Sequence, residues 1–114
     1  MSTVAGRASI DRIRLLNDNF RTTFVGGKVV MTQGVDLLPL DIKARAILAV
    51  QSFDTFTARN DPHREHDFGS FEIEGETYFF KIDYFALDMT GGSEDPADPE
   101  KTTRVLTIMR ADEY

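Results

Sequence analysis

Ile10, Ile13, Leu16, Phe20 and Phe24 recur at spacings of three and four, which lays one apolar stripe along a helix. Arg12, Arg14, Asp18 and Arg21 are kept off that stripe. Residues 1–8 are small and polar and are expected to fray, with Ser9 as the N-cap. Gly26-Gly27 is expected to stop the helix, because glycine reaches left-handed geometry without a Cβ clash. Lys28 to Thr32 is short, β-branched and bounded by glycines, the mark of a strand. Gly34 to Leu38 then turns the chain. A second helix follows Pro39, with Asp41 as its expected cap. Ile42, Ala46, Val50 and Phe53 form its buried stripe, which Ile47 and Phe56 widen. Its end is expected at Thr57 to Asn60, since a residue before proline, here Asp61, is pushed away from helical angles.

Beyond Pro62 the period changes from 3.6 to 2. Phe68 to Glu74 alternates, Glu74-Gly75-Glu76 supplies a hairpin turn, and Thr77 to Leu87 continues as a second strand. Tyr78, Phe80, Ile82 and Tyr84 make one uniformly large face, expected to lie on the helices, with Phe79, Lys81, Asp83 and Phe85 on the other. Thr102 to Met109 is apolar on both faces and therefore reads as a central strand. The order α-β-α-β-β-β predicts an α+β two-layer sandwich in a single domain over 1–114. Two helices pack on one face of a roughly four-stranded, largely antiparallel sheet.

Composition narrows the function. Apolar residues make up 41% and charged residues 28% of the 114, a globular mixture. No cysteine is present, so disulfides and thiol chemistry are excluded. No apolar run approaches the roughly 20 residues of a membrane helix, and the N-terminus lacks the apolar core of a secretory signal, so a soluble cytoplasmic protein is expected. The net charge of −6 is lopsided: residues 1–59 carry +3 and residues 60–114 carry −9. That excess of carboxylates disfavours direct nucleic-acid binding. No phosphate-cradling glycine motif and no nucleophile elbow is present, and no cofactor is expected.

The chemistry-bearing residues concentrate in Asn60-Asp61-Pro62-His63-Arg64-Glu65-His66-Asp67-Phe68-Gly69, which holds both histidines of the chain. Glu65, His66 and Asp67 are the candidate catalytic residues, since an imidazole beside carboxylates can exchange protons near neutral pH. His63 and His66, three apart, are weak candidates as metal ligands, and no metal site is assigned. The structural alternative has Asp61 capping backbone N–H groups, His66 bonded within the loop, and Asp67 paired with Arg64 or Arg104. Asp88 to Glu100 is a second loop, with five acids and no base. Its Asp95 and Asp98 are candidate binding residues alongside Asp61, His66 and Asp67. Arg104 is expected to clamp Asp95 or Asp98 through its planar fork. Lys81 and Asp83 read as a solvated pair on the outer face.

Asn60-Asp61-Pro62 with Glu65-His66-Asp67-Phe68-Gly69, Lys81-Ile82-Asp83-Tyr84, Ser93 to Pro99 and Thr103 to Met109 resemble a family of small proteins of unknown function. Ile13 to Asp18 and Gly26-Gly27 fit the same family, so the likeness spans nearly the whole chain. It implies an alphaproteobacterial protein of the kind carried on plasmids and other mobile elements, and brings no activity, cofactor or catalytic residue with it.

The expected function is therefore non-catalytic: an accessory protein presenting the acidic 60–69 and 88–100 loops to a basic protein partner. For a mobile element this would be a host nucleic-acid-binding or defence enzyme. The alternative is a small hydrolase or nuclease-like enzyme built on Glu65, His66 and Asp67, with or without a divalent metal. A third reading is a structural subunit whose aromatic face closes only on dimerisation, as a homodimer.

Overall fold

The final strand organises the sheet. In a computed structural model, which describes residues 4–114, β4 (Thr103–Arg110) is inserted between the first strand and the hairpin. It runs parallel to β1 (Gly27–Met31) and antiparallel to β3 (Glu76–Phe85), and β3 pairs antiparallel with β2 (Phe68–Ile73). The order is β1-β4-β3-β2, so the strand with apolar residues on both faces is central.

Three helices complete the α+β architecture: α1 (Val4–Thr23), α2 (Gln33–Asp36) and α3 (Leu40–Gln51), followed by a 3-10 turn at Ala111–Glu113. Phe20 of α1, Val35 of α2, and Ala46 and Val50 of α3 share one core with Ile73, Tyr78, Phe80, Ile82, Leu106 and Ile108. The large face foreseen on β3 is the face the helices cover. On the other face Lys81 and Asp83 pair with each other at 3.2 Å, and Tyr114 packs edge-on against Phe68 and Phe79. No helix among the described residues is long and apolar enough to cross a membrane.

Several boundaries differ from the sequence reading, each for a physical reason. The helix begins at Val4, so Ser9 lies inside it rather than capping it. Residues 4–8 are helical rather than frayed, and Ala5, Arg7 and Ala8 are strong helix formers. Met1 to Thr3, also assigned to the fray, lie outside the described residues. The helix ends before its glycines: Phe24 takes the left-handed position at φ +60° and donates its N–H to Phe20 O at 2.7 Å. Phe24 tolerates that geometry because its ring packs on the core.

The short helix α2 runs into Gly34 to Leu38, where a plain turn was expected, and fully buried Val35 plugs it into the sheet. Asp41 makes no capping bond, and Pro39 holds the N-cap position of α3. That helix stops at Gln51, well before Thr57. The Arg21 guanidinium accounts for the early end by donating to the carbonyls of Val50 (3.1 Å), Gln51 (3.4 Å) and Phe53 (2.8 Å), which helix propagation would otherwise have to satisfy. Arg21, expected only to lie off the apolar stripe, is thus buried. The released chain sets Phe53 and Phe56 edge-to-face at 4.9 Å, with Phe53 5.2 Å from Phe80.

The hairpin closes on two residues, Glu74 and Gly75, both at positive φ as a tight antiparallel turn requires. Gly69, facing the helices, has a different constraint. A Cβ there would stand 2.7 Å from the Phe80 ring and 2.8 Å from Phe53, and Phe80 is fully buried and cannot retreat. Gly69→Ala is expected to lower stability by about 1–3 kcal/mol through overpacking. Urea unfolding measures this, and an unchanged midpoint would show that the two rings can part.

Candidate functional site

Helix α1 crosses the sheet where β3 ends and β4 begins, and Asn17 is its fully buried contact point. The Asn17 amide donates to Glu65 O at 2.9 Å and to Tyr84 Oη at 2.7 Å, and its Oδ1 accepts from Arg104 Nε at 2.8 Å. Tyr84 in turn donates to Glu65 Oε1 at 2.6 Å. Arg104 completes the set by donating to Pro96 O and lying 5.1 Å over the Tyr84 ring. One helix side chain thereby ties the 60–69 loop directly, and the 88–100 loop through Arg104, to both central strands.

Burial sets the proton chemistry here. It pushes the Tyr84 phenol far above its usual range, helped by the hydrogen bond to Glu65, so Tyr84 acts as a fixed donor. Burial also lowers the Arg104 guanidinium from its ordinary value. Asp67 is raised above the usual carboxylate range, first by burial and then by the nearby charge of Glu65.

His66 belongs to a second network on the other side of the same loop. Its Nδ1 lies 2.8 Å and 3.1 Å from the two Asp18 oxygens, and its Nε2 is 3.6 Å from Asp61 Oδ2. Its ring stacks on Phe56 at 3.8 Å with an interplanar angle of 4°. Asp18 also receives Arg21 at 3.0 Å, so the chain of contacts runs from the C-terminus of α3 through Arg21 and Asp18 to His66. The loop is tightly wound: Arg64 and His66 both have positive φ, Arg64 N–H donates to Asp61 O, and His66 N–H donates to Asp61 Oδ1 at 3.1 Å. Arg14 fastens it from outside through Arg64 O at 3.1 Å.

The second loop forms a ledge. Ser93 Oγ bonds Thr102 Oγ1 at 2.7 Å and accepts from Asp95 N–H, Thr102 donates to Asp95 O, and Arg12 Nε reaches Ala97 O at 2.9 Å. Asp88, Asp95 and Asp98 each accept a backbone N–H two residues on, which makes three tight turns.

The predicted site residues therefore divide. Asp61, buried, caps the loop as the structural reading had it, and His66 is held inside it. Glu65 and His66 are committed to different partners, Tyr84 and Asp18, while Asp67 makes no ion pair with Arg64 or Arg104. Arg104 clamps a carbonyl and an amide rather than Asp95 or Asp98, because β4 aims it under α1. His63 is exposed, and the described residues hold no group of three histidines or acids placed for a metal ion. The loops at 60–69 and 88–100 do lie at one end of the sheet. Sequence reasoning missed Asn17, Asp18 and Arg21 as partners. Asn17 was findable: it sits four residues after Ile13 and three before Phe20, a polar side chain on the apolar stripe.

The class this defines is a two-layer α+β domain with two hydrogen-bonded loops gathered at one end of its sheet by a buried asparagine. The chain belongs to the family described as "protein of unknown function (DUF3768)", whose model matches residues 31–113. No curated protein and no solved structure matches the chain.

The raised Asp67 carboxyl has a measurable consequence. A carboxyl whose folded value lies above its unfolded one favours folding while protonated, and that contribution is lost as pH rises through the folded value. Asp67→Asn, neutral at every pH, is therefore expected to be more stable than wild type at pH 7, with the gain shrinking as pH falls through the raised folded value and gone below the unfolded value of about 4. Thermal melts across pH test this, and a variant less stable at pH 7 would mean that the ionised carboxylate is stabilised in the fold.

Proposed function

We propose that the protein is a non-catalytic binding protein whose recognition surface is the 88–100 ledge and whose partner is a basic protein. The 60–69 loop is its bracket, since its Glu65 and Asp61 carboxylates are turned inward on Tyr84 and His66. One observation carries the reading. A cleft of about 450 Å³ at the base of the ledge has an apolar side in Ala86 and Leu87 and a rim in which Asp88, Glu94 and Glu100 outnumber the one cation, Lys101. Leu87 is 62% exposed there. An apolar centre inside a charged rim suits a partner segment with a hydrophobic side chain flanked by lysine or arginine.

The turns support this role because they fix the backbone before any partner arrives, which lowers the ordering cost of association. Hydrogen bonds from Thr90 also hold Asp88 below the usual carboxylate range, keeping it charged at neutral pH. The partner we favour is a host nucleic-acid-binding or defence enzyme, whose basic surface the ledge would cover. That choice is an analogy to mobile-element biology rather than a consequence of geometry. A hydrolase would need Glu65, His66 and Asp67 to meet at one reacting atom, an arrangement that the divergent partners of Glu65 and His66 do not favour.

A peptide carrying leucine between arginines and lysines tests the reading by fluorescence anisotropy. Binding is expected to weaken steeply between about 50 and 300 mM salt. Glu94→Gln with Glu100→Gln, which leaves the capping aspartates in place, should weaken it by about threefold or more. Salt-independent binding, or the same affinity in the double variant, would contradict the proposal.

A further inference from the structure

The acidic ledge leaves unused a second cleft, of about 320 Å³, on the far side of the 60–69 loop. Arg14, Arg64, His66, Phe56, Thr57 and Asp61 line it. Its charge runs against that of the molecule, which carries −6 overall. We propose that this cleft binds the oxyanion of a small ligand, a phosphate or a carboxylate, between the Arg14 and Arg64 guanidiniums. The proposal is independent of the ledge.

The carboxylates around the cleft are already engaged. Asp61 is 5% exposed; one oxygen accepts the His66 N–H and the other lies 3.6 Å from the His66 ring. Asp18 is shared between His66 and Arg21. Asp11 holds Arg14 at 2.6 Å and, with the bond to Arg64 O, fixes how that guanidinium is presented. Arg64, by contrast, has no side-chain hydrogen bond or ion pair among the described residues. The loop nonetheless keeps it in left-handed geometry at φ +60°, next but one to His66 at +56°. Such strain persists only where surrounding bonds enforce it, and it clusters at ligand clamps.

Thr57 adds a neutral donor. Its hydroxyl oxygen accepts the Asn60 N–H at 3.3 Å and its proton has no acceptor among the described residues. Two arginine forks and one hydroxyl are the donor set that recognises carboxylate and phosphate. The Phe56–His66 stack forms a fixed wall, so the donors need little rearrangement to receive an oxyanion.

Amide NMR of the whole chain, titrated in separate arms with inorganic phosphate, acetate and chloride, tests the site. The expected result is saturable shifts confined to Thr57–His66 in the phosphate or acetate arm and absent with chloride. Saturation by phosphate alone identifies a phosphate ligand, and by acetate alone a carboxylate one. In Arg64→Asn, which tolerates left-handed geometry, affinity should fall at least about fivefold, and Arg64→Gln serves if the asparagine variant misfolds. Arg45→Gln, remote from the cleft and paired with Glu74, should bind as wild type. Absence of saturable shifts, equal affinity in the Arg64 variants, or shifts spread over every exposed arginine would overturn the proposal.

Discussion

The fold depends on a fully buried amide. Asn17 uses both N–H groups and its carbonyl oxygen, and its three partners come from the 60–69 loop, β3 and β4. In water-excluded surroundings an unpaired donor or acceptor costs about 1–3 kcal/mol, whereas a satisfied one specifies a single arrangement. Helix α1 consequently has one register against the sheet. That register brings Arg12 to the ledge and Arg14 to the 60–69 loop, two residues apart in sequence and on opposite loops in space.

Around this amide the molecule handles buried cations without burying matched carboxylates. Arg104 lies on the Tyr84 ring and bonds neutral oxygens, and Arg21 closes the end of α3 with one partly exposed aspartate beside it. A helix C-terminus carries partial negative charge, so a guanidinium there is favourable even where a full ion pair would be costly to desolvate. Only Arg21 Nε is left without a partner among the buried side-chain atoms described. Among the described residues, the same economy leaves the ledge acids free of internal cations apart from Lys101, which approaches Glu94 at 3.5 Å at the surface.

Much of the fold was legible because strands and their turns announce themselves locally. The alternation around Tyr78 to Tyr84, Gly75 in the hairpin and the two-faced apolar character of residues 105–109 each gave the element observed. Helix ends were not legible, because tertiary contacts decide them. Arg21 stops α3 some six residues early, and Phe24, not a glycine, turns left-handed because its ring has a core to enter. The candidate site was legible as a place but not as a set of partners. His66 and Glu65 stood out by clustering, yet Asp18 and Asn17 lie 48 residues earlier, joined to them only by the way α1 crosses the sheet.

If Asn17 is the common anchor, removing it must loosen both loops and leave the distal hairpin alone. Hydrogen exchange on Asn17→Ala reads this directly, because each loop carries protected amides: Arg64 and His66 in the first, Ser93 and Asp98 in the second. The account predicts that these four lose protection together while the hairpin around Ile73 and Glu76 keeps its own. Loss in only one loop, or protection unchanged in both, would contradict the claim that one buried amide holds the two loops in place.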